Sequence, residues 1–386
     1  MRPVEADPGR LDDPEALAAA DPGDMLRRVA SAAAQVREAQ LHTAEADVER
    51  IAQGGRPRAL VIVGTSGSGF AGEVLAAVCG QGCPVPISTV RGHRLPGWVG
   101  AADVVIAVSG SGGAEETLTA AVEAVRRGCR LLCVGAPGSP LADIAVQAGV
   151  PFVPVHAAGP ERAMLWGLTV PLLLAARALG LADVTRETLE RTAVVLEEMS
   201  HQCRPASEAF VNPGKQVALE IAGSMPVIWG TSPLTGAAAR RFASQLAANA
   251  GHPAVHGELP AAWHDQAAIF DGPFVVGAAG ATGAAGAADE DDFFRDRVDD
   301  PEPTLLSLVL VHDVEEHPQV TRRREIAAEF ARDRAVPVVE LTTRGTHPLE
   351  RLAGLIAHID YISVYLALAV GVDPSATTGE PEERTT

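Results

Sequence analysis

Lysine is almost missing from this chain: Lys215 stands alone among 31 basic residues, and all the others are arginine. With abundant alanine, this reflects GC-rich coding rather than an activity. Positive charge is scarce as well, because 49 acidic residues leave a net charge of −18. No basic patch reverses that field; Arg322, Arg323 and Arg324 form only a short run on a solvated helix face. Nucleic acid and acidic membrane surfaces are therefore excluded as partners. No apolar stretch reads as long enough to span a bilayer. The opening MRPVEADPGRLDDPE lacks the basic-then-apolar order of a secretory signal, so a cytoplasmic protein is expected. Cysteine is sparse: Cys79, Cys83, Cys129, Cys133 and Cys203 have no histidine at zinc-finger spacing, and they read as buried free thiols. No G-x-x-x-x-G-K-[ST] motif occurs, which excludes an ATPase phosphate loop.

What is present is a folding chain. Its 386 residues correspond to two or three domains at about 150 residues each. A content of 47% hydrophobic and 21% charged residues excludes both a wholly disordered protein and a fibre. Residues 1–21 read as a disordered tail and 22–53 as an N-terminal helix, with apolar positions three and four apart. From Ala59 the period changes. ALVIVG, VPISTV, DVVIAVS, CRLLCVGA and VPFVPV are short apolar runs separated by helical segments, the pattern of a doubly wound parallel sheet over 54–182. A helical connector covers 183–210. The rhythm restarts over 211–374 with SMPVIWG, HPAVHGE, TLLSLVLVHD and VPVVELT as strands, and ends in a helix from about Leu349 to Val370. Residues 277–303, rich in Gly and Ala and then in acid, read as a flexible insertion, and 375–386 as a disordered tail.

Two Gly/Ser loops follow strands of the first sheet, where open parallel sheets bind ligands. One is Gly64-Thr65-Ser66-Gly67-Ser68-Gly69; the other is Ser109-Gly110-Ser111-Gly112-Gly113. Glycine lets the backbone come close to a ligand, free N–H groups at a helix start favour an anion, and serine hydroxyls add donors. A tight strand-to-helix turn also needs glycine, and serine is a common N-cap. Two such loops in one sheet favour the ligand reading: a cradle for a phosphorylated small molecule.

These residues resemble a known family. VIVGTSGSGFAGEVL is similar to the first phosphate loop of sugar isomerase (SIS) domains, and more narrowly to that of the bifunctional phosphoglucose/phosphomannose isomerases. LPGWVGAADVVIAVSGSGGAEETL, NPGKQVALEIAGSMPVIWG, RFASQLAANAGHPA, ELPAAWHDQ and DYISVYLALAVGVDP resemble further family segments, in the same order, from about Ile62 to Pro374. The resemblance implies two SIS-type α/β domains preceded by an N-terminal helix, no cofactor, and a homodimer whose site lies between domains and is completed by a second subunit. It implies a hexose 6-phosphate as ligand, glucose 6-phosphate or mannose 6-phosphate going to fructose 6-phosphate.

Carried over by position, the family's phosphate-binding residues fall on Gly67, Ser68, Ser109 and Ser111, and its substrate arginine on Arg162, whose neighbours Pro160 and Glu161 fit the motif poorly. A helix-face ion pair is an equal reading of Arg162. The family's loop threonine falls on Ala114. Its ring-opening histidine falls on His264, but its glutamate base falls on Ala248, and no lysine follows Lys215 to match its C-terminal one. Aldose–ketose isomerisation moves a proton between C2 and C1 through a cis-enediol, which needs a carboxylate base. Glu258 and Asp265 lie near His264 in sequence and are candidate replacements. Three functions follow for weighing: an isomerase with impaired catalysis, a catalytically silent sugar-phosphate-binding protein, and a nucleotide-binding oxidoreductase. The last is weakest, because VPISTV runs into Arg91 rather than an acidic ribose-binding residue. No metal is implied: His252, His256 and His264 form no compact ligand set, and Pro253 argues against a helix aligning the first two.

Overall fold

All nine apolar runs become strands among the residues that the computed structural model describes, 6–156, 159–275 and 305–376. In the first half, β1 (Leu60–Val63), β2 (Ile87–Val90), β3 (Val104–Ser109), β4 (Arg130–Gly135) and β5 (Phe152–Pro154) form one sheet in the order β2-β1-β3-β4-β5. In the second, β6 (Ser224–Gly230), β7 (Val255–Glu258), β8 (Leu305–His312) and β9 (Val338–Thr342) form another in the order β7-β6-β8-β9. Every pairing is parallel. The central strands β1 and β3 are buried at every position, which is why they read as unbroken apolar runs rather than alternating ones.

The helices begin earlier than the sequence suggests. Residues expected to be a disordered tail form α1 (Pro8–Asp12) and α2 (Pro14–Ala20), each opened by a proline behind an aspartate cap. Leu11 and Leu17 are buried, and the Asp7 N–H donates to the Ala369 carbonyl at 3.2 Å. The lone lysine holds this arm. Lys215 is fully buried; its Nζ donates to the carbonyls of Leu11, Pro205 (2.9 Å) and Ser207 (2.7 Å) and lies 3.3 Å from Asp12 Oδ1. The expected single helix over 22–53 is divided into α3 (Met25–Ala30), α4 (Ala32–Glu45) and a 3₁₀ turn at Val48–Ala52, with Asp24 and Asp47 at positive φ before two of these segments. The other helices are α5 (Ser66–Cys79), α6 (Glu115–Arg126), α7 (Pro140–Ala148), α8 (Leu165–Ala178), α9 (Arg186–Gln202), α10 (Pro213–Ile221), α11 (Pro233–Ala250), α12 (Ala261–Gln266), α13 (Pro318–Arg332) and α14 (Pro348–Ala369). On α13, Arg324 turns inward to Glu316 and Glu340 instead of facing solvent. The expected insertion at 277–303 and the tail beyond 376 lie outside the described residues. Ala376, expected in that tail, is tied down through its carbonyl by Arg162.

One core joins the two halves. Ile62 and Ile106 of the first sheet, Leu172 of α8, Leu246 of α11, Ile359 of α14 and Val309 of the second sheet belong to a single buried cluster. The outer sheet faces have their own smaller clusters, around Val61 and Val105 in one half and Val227 and Trp229 in the other. Helix α14 runs through the shared layer. It corrects the expectation that no stretch could span a bilayer: 22 residues with mean hydropathy 1.6 meet that test by length and composition. It is predominantly apolar because neighbouring elements bury most of it, with 83% of its most apolar window inside the protein. The cysteines are free, and burial pushes the thiols of Cys79, Cys133 and Cys203 up to about 12, far from a reactive thiolate.

Candidate functional site

The first sheet reverses its winding at β1, which has β2 on one side and β3 on the other. The loops leaving β1 and β3 therefore diverge and open a crevice at the strand ends. Both Gly/Ser loops stand there. Ser66 takes a left-handed φ of 43° at the start of α5, which presents the first N–H groups of that helix to the crevice. In the second loop, Gly112 N–H donates to Ser109 Oγ at 3.1 Å, Gly113 N–H donates to Ser111 Oγ at 3.2 Å, and the two serine hydroxyls lie 3.4 Å apart.

A cleft of ≈ 850 Å³ opens in front of these loops. Its far wall is α11, which presents Arg241, Ser244, Gln245 and Ala248 at spacings of three, four and seven, one helical face. Gly67, Ser111, Ala114, Arg162 and Ala248, all singled out from the sequence, line this one cleft. Ser68 and Ser109 are buried directly behind it. The structure thus joins the loops to the position where the family resemblance expects a base, and what stands there is an alanine methyl exposed to the cleft.

Arg162 is placed by neither of the expected partners. Among the described residues it makes no ion pair; Nε donates to Asn249 Oδ1 at 2.7 Å, and NH2 donates to the Pro374 and Ala376 carbonyls at 2.8 and 3.3 Å. Burial lowers its pKa, with Asp373 opposing. Sequence reasoning missed the other charges of the cleft. Arg241 forks onto Asp360 at 2.8 and 2.7 Å, and its guanidinium lies over Phe70 at 5.2 Å. Arg91 and Arg240 both pair with Glu73. The signal for Arg241 was present, seven residues before Ala248 on one helix.

His264 is not in this cleft. It sits exposed on α12. Neither proposed replacement base reaches the cleft either. The Glu258 carboxylate packs against Gly236, where an added Cβ would come within 2.6 Å of Oε2. Gly236 and Ala248 are twelve residues apart on α11, so Glu258 lies about 18 Å along the helix from the missing base. Desolvation raises the Glu258 pKa, but at the wrong end of α11. Asp265 is exposed on α12 beside His264. The carboxylates that line the cleft are Glu73 and Glu161.

Glu161 is the second miss of the sequence reading. Its Oε2 accepts from Ser68 Oγ at 3.0 Å and from Ser68 N–H at 3.3 Å, and its Oε1 accepts from Gly110 N–H at 2.6 Å. The hydroxyl and N–H groups expected to hold a phosphate hold this carboxylate.

A further donor set lies apart from the cleft. Glu38 and His42, one turn apart on α4, and His156 after β5 bring one ligand atom each within 4.8 Å of one another. They line a separate cavity of ≈ 390 Å³. Two imidazoles and a carboxylate are the donor types of a zinc site. Sequence spacing directed attention to His252, His256 and His264 instead, because His156 is 118 residues from Glu38 in the chain.

Comparison with known proteins agrees with this architecture. Residues 210–378 match the family model described as the bacterial phospho-glucose isomerase C-terminal SIS domain. The second half of the chain thus matches a SIS domain, and the chain as a whole resembles the bifunctional phosphoglucose/phosphomannose isomerases. One so named, from Caldicellulosiruptor bescii, is 27% identical over 317 residues, 82% of this chain and 85% of that one. Another, from Aquifex aeolicus, is 26% identical over 318 residues, 82% of this chain and 86% of its own length. Among solved structures, a hypothetical protein of Thermus thermophilus covers 94% of this chain and 89% of its own with a TM-score of 0.69. At 16% identity that likeness shows a shared fold alone.

Proposed function

We propose that the cleft binds a hexose 6-phosphate and carries aldose–ketose isomerase chemistry in impaired form. One observation carries the impairment: Ala248 faces the cleft where a carboxylate would have to take the C2 proton and return it at C1. General-base catalysis contributes about 10²–10⁴-fold, so its loss leaves binding intact and turnover slow. Binding is supported by the two donor-rich loops and by Arg162 on the same cleft. His264, remote from its own cleft, fits delivery by a second copy of the chain, which makes a homodimer the working assembly. The relatives' names, phosphoglucose and phosphomannose isomerase, support glucose 6-phosphate and mannose 6-phosphate as the substrate class, and with it the reading of a cytoplasmic protein. A second reading, a catalytically silent sugar-phosphate sensor, is favoured by the engagement of both cleft carboxylates, Glu73 by two arginines and Glu161 by the loops.

Deuterium exchange at C2 of glucose 6-phosphate or mannose 6-phosphate in heavy water separates these readings. The natural protein should exchange slowly. Ala248→Glu should accelerate exchange, by up to about 10²–10⁴-fold; glutamate is nearly as good a helix former as alanine and would point into open space. An Ala248→Glu variant that binds the sugar phosphate without exchange favours the sensor. Fast exchange by the natural protein would overturn the impairment.

A further inference from the structure

The cradle formed by the two Gly/Ser loops has an occupant, and it is an anion of the protein's own chain. Glu161 lies 93 residues from Ser68 in sequence, in a 3₁₀ turn between β5 and α8. Its carboxylate takes one hydroxyl and two backbone N–H donors from the two loops. Ser68 N–H belongs to the first turn of α5, where the helix dipole adds attraction for negative charge. This is the donor set a phosphate would use.

Two further observations show that the fit is built. The loops are cut to admit this segment: a Cβ on Gly110 would stand 2.7 Å from Glu161 Cγ, and one on Gly67 would stand 2.8 Å from the Glu161 carbonyl oxygen. Among the described residues, the contact also lacks the countercharge that would make it permanent. The guanidiniums around the cleft are committed elsewhere: Arg91 and Arg240 to Glu73, Arg241 to Asp360, Arg162 to Asn249 and two carbonyls. Glu161 is half-buried and borders the open cleft, so its side chain has somewhere to go. A phosphate group carries about −1.5 to −2 charges and three acceptor oxygens against one charge and two oxygens, and it has the means to displace a carboxylate.

We propose that Glu161 is an internal occupant of the anion cradle and that a phosphorylated ligand binds by expelling it, so that Glu161 sets the affinity of the site for phosphate. This rests on the sugar-phosphate reading above and adds its control element. Apparent affinity is the intrinsic affinity reduced by the fraction of molecules with an empty cradle. Glu161 also acts as a filter, since a sugar without the phosphate cannot displace it.

The test is calorimetric titration of the full chain with glucose 6-phosphate and, separately, with inorganic phosphate. The natural protein is compared with Glu161→Gln and Glu161→Ala. Glutamine keeps the shape but turns an N–H₂ toward N–H donors; alanine empties the cradle. Both variants should bind glucose 6-phosphate at least tenfold more tightly than the natural protein. In Glu161→Ala, formate should compete with phosphate by refilling the emptied place, and in the natural protein it should not. Equal or weaker binding by two variants that melt as the natural protein does overturns the proposal. Variants that take inorganic phosphate tightly but show no preference for glucose 6-phosphate uphold the internal occupant and sink the sugar-phosphate reading. No binding of either ligand by any of the three proteins overturns both.

Discussion

Each sheet has its own switch point, and each switch point has a carboxylate beyond the strand ends, but the two are held differently. In the second sheet, β6 lies between β7 and β8, and Asp313 follows β8. Asp313 and Arg351 are both buried, with Arg351 Nε 3.1 Å from Asp313 Oδ1 and Thr343 Oγ1 donating to the same oxygen at 2.8 Å. The Asp313 N–H is turned to Thr231 Oγ1, and the N–H groups of Thr231 and Ser232 donate to Thr235 Oγ1 at 2.8 and 2.9 Å. The donors that could cradle a ligand there are consumed by the turn itself. In the first sheet, Glu161 meets N–H and O–H groups and, among the described residues, no cation, in front of a cleft. The same winding yields a sealed crevice where a countercharge is supplied and a displaceable contact where it is not.

The comparison breaks most readily at Arg351. Arg351→Met should destabilise the protein by about 3–5 kcal/mol, because Asp313 is left buried and uncompensated. Glu161→Gln should cost about 1 kcal/mol or less, since the donors it releases are reached by water in the cleft. Urea unfolding of the two variants measures the difference, and equal costs would remove the distinction between the two crevices. Lys215 sharpens the same point within the second half. Lys215→Met should cost about 2–3 kcal/mol, as three carbonyls, two of them buried, lose their donor, and should free residues 6–21 for proteolysis before the rest of the chain. An arm that stays protected would show that Leu11 and Leu17 alone hold it.

The smallest effect is that of pH. Burial holds His252, His256, His312 and His358 below the ordinary histidine range, and all four stand in the second half. Because their folded pKa values lie below the unfolded value of about 6.5, the unfolded chain takes up protons first as pH falls. Their contribution is complete above about 6.5 and is lost as pH drops through that value toward the folded ones. The urea midpoint should fall between about pH 7.5 and 5.5, by less than the Arg351 change produces. His358→Asn should reduce the fall, because the buried His358 Nε2 has, among the described residues, no hydrogen-bond partner with which to accommodate a proton. A midpoint flat over this range would show that these histidines titrate freely in the fold.

The nine strands, the two sheets and the two Gly/Ser loops were legible in the sequence for one reason. A strand covered on both faces must be apolar throughout, and the loop that leaves it must turn sharply into a helix, so local composition records both. The gathering of Gly67, Ser111, Arg162 and Ala248 at one cleft followed from family motifs in their order. The N-terminal arm was not legible, because PGRLDDPEALAAA has only two large apolar residues, Leu11 and Leu17, and its anchor, Lys215, is 204 residues from Leu11. Nor was the range of Glu258, which is ten residues from Ala248 in the chain and most of a helix away from it in space. Glu161 shows the division most clearly. In sequence it was a poor fit beside Arg162; only the crossing of the chain from β5 to α8 over the ends of β1 and β3 made it the occupant of the cradle. Local pattern fixes elements because propensity and burial act on neighbours. Which anion fills a ring of N–H donors is decided by groups that meet only after the sheet has wound, and no spacing along the chain encodes that meeting.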